Sequence, residues 1–456
     1  FDPEALNPNE WIKGNEENST VDLDIGLTTK PNDQVELSFG WGQTGVIGRV
    51  GLKFNNFSMR NLFKKDKNLK GIIPRGDGQQ FELSGSTNGS YYQSYSISFV
   101  DPWFGNKRPT QLSVSAFYSR QTDISSSYYN SNYYNSYYSM LYGYGNYNNS
   151  YYNNYSSYYD PDKYIQLFGL SIGWGKRLTW PDNHFRLSAE FSYTRYMLKD
   201  WEYFLINNGN CNNITLTLQL ERSSIDWPIF PRHGSQVVLS VSATPPYSSF
   251  DDIDYKSLNS SVSDASYQQD MQKKFRWIEY HKWKFSSRFY TPLSSAKKCF
   301  VLMTRFDAGF LGHYNKYKKS PFQTFFVGGD GMSGYSAGYY TETIALRGYD
   351  NGSLAGNSIG SEGYAYSRMA LELRYPLLLQ GSTNIYALTF LEGGNAWTDI
   401  KKFNPFDMKR SAGVGVRIFL PMVGMMGIDW AYGFDKVYGS KEYSGSQFHF
   451  VLGQEF

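Results

Sequence analysis

Phe448-His449-Phe450-Val451-Leu452-Gly453-Gln454-Glu455-Phe456 ends the chain on an alternation of large apolar with polar or small side chains, and the last residue is aromatic. Side chains of a strand point alternately to opposite faces, so Phe448, Phe450, Leu452 and Phe456 share one face and His449, Gly453 and Glu455 the other. One face suits lipid and the other a wet lumen. Such a strand is a poor end for a soluble domain, but it fits a transmembrane strand whose final ring sits at the membrane interface.

The same rhythm runs back through the chain. In Gln34 to Gly42, Val35, Leu37, Phe39 and Trp41 alternate with polar residues or Gly. Phe185, Leu187, Ala189, Phe191 and Tyr193 alternate with Arg186, Ser188, Glu190, Ser192 and Thr194, and Ile214, Leu216, Leu218 and Leu220 repeat the pattern. Met369, Leu371, Leu373 and Tyr375 oppose Arg368, Glu372 and Arg374. An Arg or Lys facing lipid at mid-membrane costs about 2 to 4 kcal/mol, so these charges are expected to face inward.

Sixteen strand cores are expected, an even number as in single-chain bacterial barrels. They are 34–42, 46–57, 79–90, 91–101, 111–121, 164–175, 184–199, 214–224, 235–246, 275–290, 299–313, 365–376, 383–397, 409–420, 427–435 and 447–456. The expected fold is therefore all-β, a transmembrane antiparallel β-barrel over residues 34–456 with long outer loops. A periplasmic C-terminus puts short Pro- and Gly-bearing links on the inner side and long ones outside. No helical period is convincing anywhere.

Composition agrees with a barrel in a Gram-negative outer membrane. Aromatics make up 18% of the 456 residues, with 40 Tyr and 32 Phe, while the mean hydropathy of -0.51 is that of a polar protein. A strand that shows lipid only every second residue explains both. No stretch approaches the roughly 18 consecutive apolar residues of a spanning helix. A net charge of +3 gives no case for nucleic acid, and Lys64, Lys65, Lys67 and Lys70 read as a solvated turn. Cys211 and Cys299 fall at opposite barrel ends, so no disulfide is expected. The start at Phe1-Asp2-Pro3 shows no secretion signal, which suits a mature or truncated part of a longer precursor.

Two outer loops stand out. Residues 123–163 are nearly all Tyr, Asn and Ser, able to stack and hydrogen-bond but short of the aliphatics for a core; they read as a surface cap. Residues 316–364 are too long for a turn. Two enzyme-like strings within them lack context: Gly329 to Gly334 matches G-x-G-x-x-G without a following helix, and Gly334 to Gly338 matches G-x-S-x-G without a strand-to-helix elbow or a histidine partner. The five histidines show no metal-ligand spacing. Neither a metal, a cofactor nor an enzymatic activity is expected.

The long loop also holds Leu346-Arg347-Gly348-Tyr349, which resembles the [V/L]-R-G-[F/Y] motif of the BamA-type outer-membrane insertases and their two-partner secretion relatives. Phe390-Leu391-Glu392-Gly393-Gly394-Asn395-Ala396-Trp397 is similar to the family's F-x-D-x-G-x-x-W strand, and Phe230-Pro231-Arg232-His233-Gly234-Ser235 to its F-P-x-x-G-S turn. Ser411 to Arg417 and the ending Phe448 to Phe456 match in order, the ending as a β-signal. The resemblance covers about residues 34–456. It makes residues 1–33, where Val21, Leu23, Ile25 and Leu27 alternate as one strand, the tail of a periplasmic polypeptide-transport-associated (POTRA) repeat.

The resemblance implies an insertase that folds and inserts other β-barrels without covalent chemistry. Its partners would be unfolded outer-membrane clients bearing a C-terminal β-signal, accessory Bam-complex lipoproteins, periplasmic chaperones, and outer-membrane lipid with lipopolysaccharide. It implies an inward-folded loop whose Arg347 meets the acidic residue of the 390–394 strand. Phe390, Glu392 and Gly394 share a face, opposite Leu391, that the register turns into the lumen. Glu392 stands where the family has Asp, one methylene shorter. The seam between 34–42 and 447–456 is the implied lateral gate, with Val35, Leu37, Phe39, Gly40, Trp41 and Gly42 facing Phe448, Phe450, Leu452, Gly453 and Phe456. Gly40, Gly42 and Gly453 lack side chains to pack across it and weaken their strands. A polypeptide transporter of the same superfamily and a passive porin are the rival readings.

Overall fold

A computed structural model describes residues 12–15, 20–23, 33–42, 45–62, 74–89, 92–106, 110–124, 159–201, 206–258, 266–296, 298–330, 342–355, 362–380, 383–420, 424–437 and 442–452. Sixteen strands form one sheet, each beside its sequence neighbour and antiparallel to it. They are β1 Gln34–Gly42, β2 Gly45–Phe57, β3 Gln79–Thr87, β4 Tyr92–Asp101, β5 Thr110–Ile124, β6 Tyr159–Arg177, β7 Phe185–Lys199 and β8 Gly209–Ser223. The second half comprises β9 Gly234–Ala243, β10 His281–Pro292, β11 Val301–Gly312, β12 Ala365–Gln380, β13 Thr383–Trp397, β14 Lys409–Leu420, β15 Gly424–Lys436 and β16 Tyr443–Leu452. Among the described residues no helix is long and apolar enough to cross a membrane.

Sequence parity decides which face each residue takes. Leu216, Leu218 and Leu220 of β8, Met369 and Leu371 of β12, Ile428 and Trp430 of β15, and Phe448 and Phe450 of β16 are exposed on the outer surface. Arg368, Glu372 and Arg374, which alternate with the β12 residues, are buried. Because the side-chain period is two, a one-residue slip would put every one of these charges into lipid, so the register is strongly specified.

The boundaries of β1, β13 and β14 coincide with the expected cores, and most others shift by a few residues. The largest departure is at 275–290. The strand begins only at His281, because Tyr267–Phe275 is an α-helix, which corrects the expectation of no helical segment. Its buried residues are Tyr267, Met271, Lys274 and Phe275, the i, i+4, i+7, i+8 stripe of a helix packed on one side. A second, single-turn helix spans Met59–Leu62. Near the N-terminus, Ile12–Asn15 and Thr20–Leu23 form an antiparallel hairpin. The expected strand Val21 to Leu27 is therefore seen only to Leu23, and residues 24–32 lie outside the described residues, as does the lysine cluster at 64–70.

The interior is filled unevenly. On the β3 to β9 side many inward residues are short and polar, with cross-strand hydroxyl pairs such as Ser84–Ser96, Ser115–Ser171 and Thr217–Ser242. A cavity of about 580 Å³ lies against this wall. On the β10 to β16 side the described residues of the segment between β11 and β12, 313–330, 342–355 and 362–364, fold into the barrel. An apolar cluster that joins Cys211 of β8 to Leu311, Phe322, Phe325, Val327 and Tyr366 lies toward one mouth. A second, with Cys299, Phe230, Tyr386, Leu388 and Phe390, lies toward the other. Along β13, Glu392 falls between them.

The hairpin joining β5 to β6 is paired out to Ile124–Tyr159, so the ends of the Tyr/Asn/Ser tract belong to strands, and residues 125–158 lie outside the described residues. Replacing 125–158 by a short Gly/Ser turn is expected to leave the heat-modifiable gel mobility of the folded barrel and complementation in the native host unchanged, because that part has no apolar periodicity. Loss of complementation with a normally folded barrel would show a role for the tract.

Candidate functional site

Arg347 is the centre of the site. Its guanidinium is fully buried and touches carboxylates from three strands: Nη2 is 2.6 Å from Glu372 Oε1 on β12, Nε is 3.0 Å from Glu392 Oε2 on β13, and Nη1 is 3.3 Å from Asp429 Oδ2 on β15. The same Glu392 oxygen accepts the Arg347 backbone N–H at 3.1 Å. The guanidinium carbon lies 3.5 Å from the centroid of the Phe390 ring, a desolvated cation–π contact. Burial alone would lower the arginine's pKa, but the three carboxylates reverse this and hold it above its ordinary value. It is a permanent charge.

Each carboxylate has a second arginine from the barrel wall. Arg368 pairs with Glu392. Arg374 Nη2 lies 2.7 Å from Glu372 Oε2, and Arg417 forks onto Asp429 at 2.6 and 2.8 Å. Fixed guanidinium forks matched to carboxylates suit such a dry site. Both oxygens of Glu392 are used: one takes both Arg347 contacts and the other takes Arg368.

The neighbours of Arg347 in the motif have separate tasks. Leu346 is fully buried. Gly348 has φ +84°, and a Cβ there would sit 2.9 Å from Ser411 Cβ and 3.0 Å from the Gly433 nitrogen, so both conformation and space require glycine. Its N–H donates to His449 Nε2 on β16 at 2.7 Å. The Tyr349 hydroxyl donates to the Arg410 carbonyl at 2.7 Å. On β13, Phe390 and Glu392 face the lumen as expected. Gly394 leaves room for Leu346, since a Cβ there would lie 3.1 Å from Leu346 Cδ1. Glycine 413 on β14 makes space for the Phe390 ring, whose Cζ would be 2.4 Å from an added Cβ.

Ionic clasps hold the loop elsewhere. Glu342 meets Lys282 Nζ at 3.0 Å and Lys284 Nζ at 2.8 Å, both on β10. Buried Lys318 lies 3.5 Å from Glu279 and donates to the Tyr255 hydroxyl at 2.9 Å. Burial pulls this ammonium below the ordinary lysine range, an effect opposed by Glu279 and Asp251.

The structure thus brings Leu346 to Tyr349 together with Phe390, Glu392 and Gly394. The seam residues stand apart from this cluster. Val35 and Leu37 of β1, and Phe448 and Phe450 of β16, face outward. Phe39, Gly40, Trp41, Gly42 and Leu452 are placed in their strands by backbone alone, while Gly453 and Phe456 lie outside the described residues. The sheet order ends on β1 at one edge and β16 at the other. Of the enzyme-like strings, Gly329 and Asp330 are described and residues 331–341 are not. Sequence reading had turned Glu372, Arg374 and His449 inward without assigning them to the site, and it passed over Asp429. The signal for Asp429 was available: a lone carboxylate between Ile428 and Trp430.

The sequence profile of the Omp85 superfamily domain matches residues 75–456. The chain belongs to the Omp85 superfamily. Among solved structures this Omp85 barrel is similar to BamA from Haemophilus ducreyi lacking POTRA domains 1–3, with 16% identity and a TM-score of 0.57 over 96% of this chain and 74% of that one. It is also similar to CdiB from Escherichia coli, with 11% identity and a TM-score of 0.52 over 96% of this chain and 66% of that one. At these identities the likeness is one of fold. Comparison with curated protein sequences gives no match. Omp85 proteins are outer-membrane β-barrels, in keeping with the outward apolar and inward charged parity of this sheet.

Arg347→Ala is expected to destabilise the barrel by about 2 to 3 kcal/mol, less than the 3 to 5 kcal/mol typical of a broken buried pair, because each carboxylate keeps its wall arginine. Glu392→Ala, which strips a partner from Arg347 and Arg368 together, should cost more. Unfolding temperatures from heat-modifiable gel mobility test the order, and equal effects would mean that the arginines do not share the load.

Proposed function

We propose that this Omp85 protein is a BamA-type insertase, which folds and inserts other outer-membrane β-barrels through a gate between β1 and β16. The single observation that carries the reading is the loop of Leu346 to Tyr349, tied by Arg347 to β12, β13 and β15 and by Gly348 to β16. These ties brace the sheet up to one side of the seam. None of the ionic clasps described above reaches β1 to β4. An insertase that opens sideways needs one stationary edge and one that yields, and this distribution of ties supplies the stationary one.

The chemistry required is hydrogen bonding and desolvation. A strand edge presents unpaired N–H and C=O groups and is a template for another strand. A client's terminal strand would add to β1 by β-augmentation, with Gly40 and Gly42 offering no side chains that pack against the closed seam. In this reading residues 1–33 are the end of a POTRA repeat. The clients are unfolded barrels with a C-terminal β-signal, delivered by periplasmic chaperones and handled with accessory Bam-complex lipoproteins amid outer-membrane lipid and lipopolysaccharide.

The cavity of about 580 Å³ on the hydroxyl-lined side of the lumen favours a second reading, a transporter that passes a polypeptide through the interior. Depletion in the native host separates the two. Loss of an insertase lowers many outer-membrane proteins at once, whereas loss of a secretion pore removes one client.

A covalent staple tests the gate itself. Cysteine pairs scanned between Glu36 to Gly40 and His449 to Gly453 are expected to include a register with Cβ atoms about 3.5 to 4.5 Å apart that crosslinks. That disulfide should abolish client assembly in a folded barrel, with recovery on reduction. Full crosslinking with undiminished assembly would exclude lateral opening.

A further inference from the structure

Asp330 lies in the inward segment, outside the arginine network, and its side chain is fully buried. Its Oδ2 accepts the backbone N–H of Phe450 at 3.0 Å. Phe450 is opposite Ile428 in the β15–β16 ladder. In an antiparallel pair, successive residues direct their N–H and C=O groups alternately toward and away from the partner strand. An N–H that is spent on a loop carboxylate is one directed away from β15. It belongs to the outer edge of the last strand, where β1 or an added strand would bond.

The neighbouring residue is tied to the same loop. His449 Nε2 is occupied as acceptor for the Gly348 N–H, so the ring proton resides on Nδ1, 3.8 Å from the same Asp330 oxygen. Gln447 Nε2, two residues back, donates to Asp350 Oδ1 at 3.2 Å. Three residues of the last strand are thus held by three residues of one loop. Of these contacts, only that of Asp330 uses a main-chain donor of the strand edge.

We propose that Asp330 is a positioning residue that caps the outer edge of the last strand, keeping the Phe450 N–H from pairing with another strand until the loop moves. The proposal rests on the seam reading above and adds a resting-state restraint to it. An exposed edge is an open invitation to unwanted strands, and an inward-pointing charge is a recognised way to blunt one. Here the charge comes from a loop between β11 and β12, not from the strand itself, and engages the edge directly.

Amide hydrogen exchange at Phe450, measured on the full-length protein in detergent, tests the contact. Asp330→Ala should exchange on the order of tenfold faster or more, the loss of one charge-assisted hydrogen bond, and Asp330→Asn, which keeps an acceptor oxygen, should stay near wild type. In proteoliposomes, Asp330→Ala should raise the initial rate of assembly of a urea-denatured β-barrel client severalfold. If the alanine variant loses heat-modifiable mobility, Asp330→Ser replaces it in both measurements. Unchanged exchange at Phe450 overturns the cap, and so does faster exchange with a wild-type assembly rate. Should the wild type assemble no client, the insertase reading fails by itself, and the exchange measurement still decides whether Asp330 caps the edge.

Discussion

A unit positive charge buried in the middle of the barrel constrains the rest of the structure. Without partners, the Arg347 guanidinium would be intolerable in that setting. It needs acceptors from several directions, and strands of one wall running through the same depth supply them. Glu372, Glu392 and Asp429 reach one point because β12, β13 and β15 keep fixed stagger relative to one another, so the arginine reports on, and enforces, the register of the C-terminal half. The ring of Phe390 closes the remaining face, and glycine 413 gives that ring its place.

The loop's path follows from this anchor. Its described residues touch β16 through Asp330, β10 through Glu342, the centre of the wall through Arg347 and β16 again through Gly348. A segment with so many polar groups stays inside because its charges are matched by inward residues whose parity was set by the lipid on the other side. The outer and inner faces of the barrel are thus one design: each apolar residue turned to lipid fixes the direction of a polar neighbour, and those neighbours form the receptor for the loop.

Much of this was legible in the sequence, for a definite reason. Period-two alternation is dense in Met369 to Arg374 and in Phe448 to Phe450, and charge on a transmembrane strand has only one affordable direction. The pairing of Arg347 with Glu392 followed from parity and from the motif resemblance. What escaped was three-dimensional convergence. Asp429 and His449 are far from Arg347 in sequence, and no spacing rule links them. The helix Tyr267–Phe275 escaped because its stripe is short and interrupted by Gln and Lys, in a region otherwise read for strands. The contact of Asp330 with the Phe450 N–H involves a main-chain group, which leaves no mark on side-chain pattern.

The duplicated arginines have a consequence for reversibility. With Arg347 absent, Glu372, Glu392 and Asp429 form three neutral pairs with Arg374, Arg368 and Arg417, and the wall is electrically complete. Withdrawal of Arg347 therefore leaves none of these three carboxylates bare. The departing arginine regains water. The attachment behaves as a latch rather than a weld: firm while seated, yet separable without melting the wall that receives it. A conventional one-to-one buried salt bridge lacks that property, because removing either partner leaves the other charge uncompensated.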